Sequence, residues 1–213
     1  MYHIFHGKHL LILARSTDKI EKHKPDFILK KPEEDQVKEA LKLSKRATKA
    51  LTIALIGSPN KLLDTIFLEF KLVIAAGGLV FNKDNEILLI KRLGRWDLPK
   101  GKLKKKEDIE TCAAREVEEE TGATGLKIKY SLPDTFHTYY RNEKWIVKQT
   151  HWYKMSCKKK QNFVPQVEED IEDVQWFPMD KIKLKELDTY PAIRYIIKKY
   201  RKIALAKLAA SSS

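Results

Sequence analysis

Three features of this 213-residue chain predict an α/β fold. Runs rich in β-branched and aromatic residues alternate with runs whose apolar residues recur every three to four positions. Clusters of glycine, proline and asparagine separate them. The composition is 43 % hydrophobic, enough for a globular core. No apolar run approaches the ~18 residues of a membrane span, so no membrane partner is expected. No internal repeat is visible.

The first seventy residues read as a small α/β unit. Tyr2–Phe5 and Leu10–Ala14 flank His6-Gly7-Lys8, a hairpin turn. Phe27–Leu29 is a short strand. Pro32 suits a first helical turn, followed by Glu33, Glu34 and Asp35, which favour a helix N-terminus. Val37, Leu41 and Ser44 continue one stripe. Leu51–Ile56 ends at Gly57 as a strand. Ser58-Pro59-Asn60 opens a second helix with Leu62, Leu63, Ile66 and Phe67 at helical spacing. His3, His6 and His9 raise a metal hypothesis, but histidines spread over strands and a turn are more often incidental.

Val73–Phe81 and Ile87–Lys91 are two strands joined by a turn at Asn82–Asn85. The stretch Gly101 to Ala123 then opens with a glycine turn and a lysine run. It becomes a helix carrying Glu116, Glu119 and Glu120. At about 100° per residue these fall on one face. Three carboxylates there repel each other unless a cation joins them, and Mg²⁺ prefers such oxygen ligands. Ala113, Ala114 and Val117 form an apolar stripe beside them, and Gly122 stops the helix. By itself an acidic run is a solvated face.

The spacing changes that reading. Gly101 is followed after five residues by Glu107, then after seven by Arg115-Glu116-Val117, then Glu119-Glu120 and Gly122. This resembles the signature of the Nudix hydrolases at every fixed position. The last aliphatic position is the small Ala123. The resemblance runs from about Lys71 to Asp180. The preceding turn reads Pro99-Lys100-Gly101, where many members have Pro-Gly-Gly. Similar Pro-Lys-Gly turns occur in dinucleoside-polyphosphate hydrolases and mRNA-decapping members.

After the signature, Leu126–Tyr130, Thr135–Arg141 and Lys144–Cys157 read as strands, with a turn at Asn142-Glu143. Lys158–Gln161 is a charged loop. Val174–Phe177 resembles the family's late strand with its tryptophan. Two helices are expected to close the chain, one near Met179–Leu187 and one from Pro191. Ser211–Ser213 should be disordered.

The resemblance implies a Nudix α/β/α sandwich with a mixed sheet over residues 71–210, preceded by the α/β unit at 1–70. It implies hydrolysis of a diphosphate linkage in a nucleoside diphosphate joined to another group. Glu116, Glu119 and Glu120, with the Lys100 carbonyl, would bind Mg²⁺ or Mn²⁺. Glu119 is the first choice of base, and Glu168 or Glu169 the alternative. Arg115 acts at the catalytic helix, where it and Glu107 hold loop and helix together. Gly101 and Gly122 are structural. Arg92, Lys100 and Lys102 are candidates for phosphate contact, and Trp96 or Tyr139 for stacking on a base.

The formal charge of +13 suits small polyphosphates and also nucleic acid, although no zinc-finger spacing or recognition helix is visible. A small-molecule phosphoanhydride is the expected partner. An RNA 5′ end is the alternative substrate, and a ligand sensor without hydrolysis the alternative of another class. Cys112 and Cys157 lack metal-ligand spacing, and a reduced cytoplasmic setting is expected. The first unit is open to dimerisation as a homodimer, to covering the active site or to selecting substrate.

Overall fold

The computed structural model describes residues 1–158 and 162–211. Residues 159–161 of the expected charged loop lie outside the described residues, as do Ser212 and Ser213. The chain forms two compact units. One holds Met1–Val73 with Thr135–Gln149, and the other Ile74–Asp134 with Thr150–Ser213. The stretch 135–149 thus groups with the N-terminal residues, where the sequence boundary at residue 70 leaves it with the later ones.

In the first unit, β1 (Tyr2–His6) and β2 (His9–Ala14) pair antiparallel. Gly7 takes φ 56° in their turn, a left-handed conformation that favours glycine. β3 (Phe27–Lys30), α1 (Glu34–Arg46), β4 (Thr52–Ile56) and α2 (Pro59–Glu69) follow. β4 runs parallel to both β2 and β3. A capping box between Glu33 and Gln36 opens α1. Alternation along the strands splits the core as a period of two requires. Leu11, Leu13, Ile53 and Leu55 meet Val37, Leu41, Leu62 and Ile66 of the helices. Ile12, Ala14, Ala54 and Ile56 face the other way with Ile20.

The second unit is the expected α/β/α sandwich. Its strands are β6 (Glu86–Arg92), β11 (Ile171–Pro178), most of β5 (Lys71–Phe81), and the parts of β9 (Lys127–Arg141) and β10 (Lys144–Ser156) outside Thr135–Gln149. Their order is β11-β6-β5-β10-β9, with β7 (Arg95–Asp97) on β6 and β8 (Lys100–Lys102) on β5. Ala76, Val80, Leu88 and Ile90 face α3 (Ile109–Thr121) through Cys112, Ala113 and Val117. The neighbouring residues Leu79, Phe81, Ile87 and Leu89 face α4 (Pro191–Ser211) through Ile193, Ile196, Ile197 and Tyr200. Parallel and antiparallel pairings both occur in the chain, so the sheet is mixed.

Three expectations are corrected. Leu126–Tyr130 and Thr135–Arg141 belong to one strand, β9, which runs through Pro133. The pairing of β1 with β9 covers residues 136–138, beyond Pro133. No helix forms over Met179–Leu187, which is a series of turns. The Arg201 guanidinium takes the carbonyls of Met179 (2.5 Å) and Ile182 (2.9 Å), and Arg194 takes that of Leu187. Those donors stabilise the irregular path. The end of the chain also differs: α4 reaches Ser211.

Candidate active site

Asp108 starts α3 by accepting the Thr111 N–H at 2.9 Å. Gly122 ends it in the left-handed conformation, φ 70°. Between them the helix turns its carboxylates toward the Pro99–Lys102 turn. At Gly101 a Cβ would collide with the Glu116 carboxylate, so only glycine allows this approach.

Arg115 organises the cluster. Its Nε and Nη2 grip Glu107 at 2.6 and 2.9 Å in a two-point fork. Its Nη1 donates to Glu116 and to Glu119, each at 2.7 Å, and Nη2 reaches the Lys102 carbonyl at 3.2 Å. The arginine therefore ties the lysine-rich loop to the helix. The fork from Arg115 holds the Glu107 carboxyl at a pKa of about 2. The Arg115 pKa rises in turn, first through Glu107.

The three helix carboxylates differ in environment. Glu120 is 1 % exposed, and burial pushes its pKa up to about 7. It accepts the Lys100 N–H at 2.8 Å through Oε2. Burial also raises the Glu116 pKa, against the pull of Arg115. Glu119 is exposed. Desolvation raises its pKa, but hydrogen bonds from Arg115 and from Lys104 Nζ (3.2 Å) outweigh this and lower it overall.

A loop brings further charges to the C-terminal end of α3. Val164 N–H donates to the Thr121 carbonyl at 2.9 Å. The 3-10 turn Val167–Glu169 follows, carrying Glu168 and Glu169. Glu169 accepts from Arg92 Nη2 at 2.9 Å, while Arg92 Nε is buried with no hydrogen-bond partner among the described residues. The Arg92 charge is also felt at Glu120. Lys100 Nζ pairs with Asp97 at 2.5 Å, and both side chains are largely buried.

The other candidates lie elsewhere. Trp96 packs edge-on against Phe177, 4.6 Å between ring centres, and belongs to the α4 side of the core. Tyr139 is a residue of the first unit, stacked on His137. Lys102 has an exposed side chain on β8. The His6 and His9 rings lie 6.1 Å apart, but the three N-terminal histidines do not gather as a metal-binding group among the described residues. His3 Nε2 faces His23 Nε2 at 3.4 Å, His6 Nδ1 meets Thr138 Oγ1, and His9 Nδ1 accepts the Leu51 N–H at 3.1 Å.

Two contributors escaped the sequence reading. Asp97 had a signal, an acid between the apolar Trp96 and Leu98. Lys104 had none, being one lysine in a run of three.

The NUDIX domain family matches residues 71–200. The RNA pyrophosphohydrolase of Pelagibacter ubique (strain HTCC1062) is 32% identical over 91 residues, covering 37% of this chain and 58% of that protein. Nudix hydrolase 7 of Arabidopsis thaliana is 43% identical over 67 residues, 28% of this chain and 24% of its own. The match thus spans a little over half of one relative and a quarter of the other. Among solved structures, the MutT protein of Methanosarcina mazei Go1 superposes with a TM-score of 0.50 at 22% identity. That superposition covers 64% of this chain and 97% of the other, a likeness of fold. The family match covers well over half of the chain, which belongs to the Nudix family.

Proposed function

We propose that this chain hydrolyses a diphosphate linkage in a nucleoside diphosphate joined to another group, with a divalent cation. The observation that carries this reading is the set of helix carboxylates pressed against the Gly101 turn. Oxygens of Glu116 (Oε2) and Glu120 (Oε1) accept no hydrogen bond from the described residues, and burial makes both carboxylates costly to ionise. Such oxygens fit a hard divalent cation such as Mg²⁺ or Mn²⁺ in kind. In the arrangement present, no three His, Cys, Asp or Glu side chains among the described residues are grouped to hold an ion. Arg115 and Lys104 occupy both oxygens of Glu119. Glu116 and Glu120 would hold the ion, and Glu119 would join by exchanging its partners.

A bound cation supplies charge neutralisation at the phosphate and a more acidic water. The chain supplies the rest. Glu119 is exposed and ionised at neutral pH, so it serves as the base that takes the water proton. Glu169, held by Arg92, is the alternative base. Arg92 and Lys100 place positive charge beside Glu120, where a phosphate would enter. Arg115 and Glu107 keep the helix and loop in register.

A second reading makes an RNA 5′ end the substrate. It is supported by the relative named an RNA pyrophosphohydrolase, by the Pro99-Lys100-Gly101 turn and by the charge of +13. One panel tests both readings. It contains diadenosine polyphosphates, ADP-ribose, nucleotide sugars, nucleoside triphosphates and 5′-triphosphate RNA, with Mg²⁺, Mn²⁺ or a chelator. The expected result is one substrate class cleaved at a diphosphate bond, with activity lost on chelation. Turnover of RNA above every free nucleotide, falling steeply with salt, selects the second reading. No turnover of any member by folded protein overturns the first.

A further inference from the structure

We propose that the second unit binds a diphosphate-bearing anion in a cavity under the C-terminal half of α4, apart from the carboxylates of α3. The cavity is lined by Asn85, Tyr130, Lys154, Met179, Tyr200 and Lys207, among others. It lies on the α4 side of the sheet, whereas Glu116 and Glu120 sit on α3, which packs on the opposite face.

The argument is one of unbalanced charge. Lys154 is half-buried, with Nζ against the rings of Phe81 (5.1 Å) and Tyr200 (5.8 Å). Those rings are themselves in contact, 4.7 Å between centres. Lys207 Nζ sits 3.6 Å from the centre of the Tyr130 ring. Aromatic faces attract a cation but carry no net charge to cancel it. None of Lys129, Lys154 and Lys207 has an acidic partner within ion-pair distance among the described residues. Asp180 also lines the cavity, but it is exposed and forms no such pair. Arg201 is committed to the carbonyls of Met179 and Ile182.

The like charges are felt. Burial lowers the Lys154 pKa, and Lys129 and Lys207 lower it further. Lys154 and Lys207 line the cavity, so an anion with several oxygens bound there relieves both at once. The apolar wall of Met179, Tyr200 and Leu205 leaves room for an organic group beside the phosphates. The carboxylate cluster is different: it attracts cations and repels a free anion unless metal is present.

That difference makes the test selective and independent of the proposed hydrolysis. The full chain is titrated calorimetrically with inorganic pyrophosphate, and separately with ADP, in excess chelator. Saturable binding is expected for at least one of them. Stronger binding of ADP identifies a nucleotide as the source of the diphosphate, and equal or stronger binding of pyrophosphate identifies the free anion. Lys154→Met and Lys207→Met should each weaken binding at least tenfold, Lys154→Arg should retain it, and Glu120→Gln should leave it unchanged. Melting temperatures of the variants identify those that fold. Absence of saturable binding to either probe overturns the proposal, as does binding indifferent to both Lys→Met changes or lost in Glu120→Gln.

Discussion

Two helices of thirteen residues make an instructive pair, α1 in the first unit and α3 in the second. Both begin after an extended cap residue, both carry acid in the first turn, and both are rich in glutamate. On α1 the glutamates meet lysines on the surface: Lys38 with Glu34 at 2.8 Å, Lys42 with Glu39 at 2.7 Å. On α3 one arginine serves Glu116 and Glu119 of the helix and Glu107 of the loop before it, and Glu120 is buried against the Lys100 N–H. Acidic side chains on a helix are ordinary. What distinguishes α3 is desolvation against a glycine turn, which makes the charges costly unless something binds them.

The largest expected effect separates the two helices by activity. Glu119→Gln and Glu120→Gln should each lower turnover at least about a hundredfold. A charge-neutralising change on α1 should leave turnover unaltered. Equal activity in all of these variants would break the contrast and remove the assignment of α3.

Stability should respond in the opposite sense at the same site. The pKa of Glu120 in the folded chain, about 7, lies above the ordinary 4.5. A raised carboxyl pKa means the folded state prefers the proton. This stabilisation is complete below about pH 4.5 and is lost as pH rises through 7. In chelator at pH 8, Glu120→Gln should therefore stabilise the fold, by up to about 3 kcal/mol. The gain should disappear at pH 4. Urea unfolding at the two pH values reads it directly. A destabilised Glu120→Gln at pH 8 would show that Lys100 and Arg92 outweigh burial.

Gly101→Ala tests the close approach. A Cβ there displaces the Glu116 carboxylate, the far end of a flexible side chain, so the cost falls at the low end for overpacking, about 1 kcal/mol. Turnover should fall together with melting temperature. Wild-type activity in Gly101→Ala would mean that Glu116 can move aside without harm.

These contrasts were unevenly legible in the sequence. The signature helix was readable because its parts, Gly101, Glu107, Arg115, Glu119 and Gly122, fall at fixed spacings on one short stretch of chain. The Arg115–Glu119 contact follows from i, i+4 geometry and forms at 2.7 Å. Partner choice between strands was not readable. Thr135–Gln149 has strand character wherever it pairs, and nothing in its pattern names β1 as its neighbour. The turns at Met179–Leu187 were misread for a related reason. Their apolar residues have helical spacing, but Arg194 and Arg201 claim the carbonyls from a distance in sequence. Burial was hidden too. Glu119 and Glu120 are adjacent and identical, and the turn of about 100° between them leaves one exposed and sets the other against the Lys100 N–H.

The smallest effect completes the comparison. Glu34→Gln removes one of the two carboxylates around Lys38, whose other partner is Glu69 at 3.2 Å. Both glutamates are solvent-accessible, so the lysine keeps a partner and water replaces the lost one. The melting temperature should change by less than about 2 °C, and less still in high salt. Removing Glu34 also takes an acid from the first turn of α1, where the helix dipole favours it. That adds a change of the same sign and similar size. A loss comparable to that of Gly101→Ala would mean that α1 carries a charge network as constrained as the one around Arg115, and the distinction between the two helices would fail.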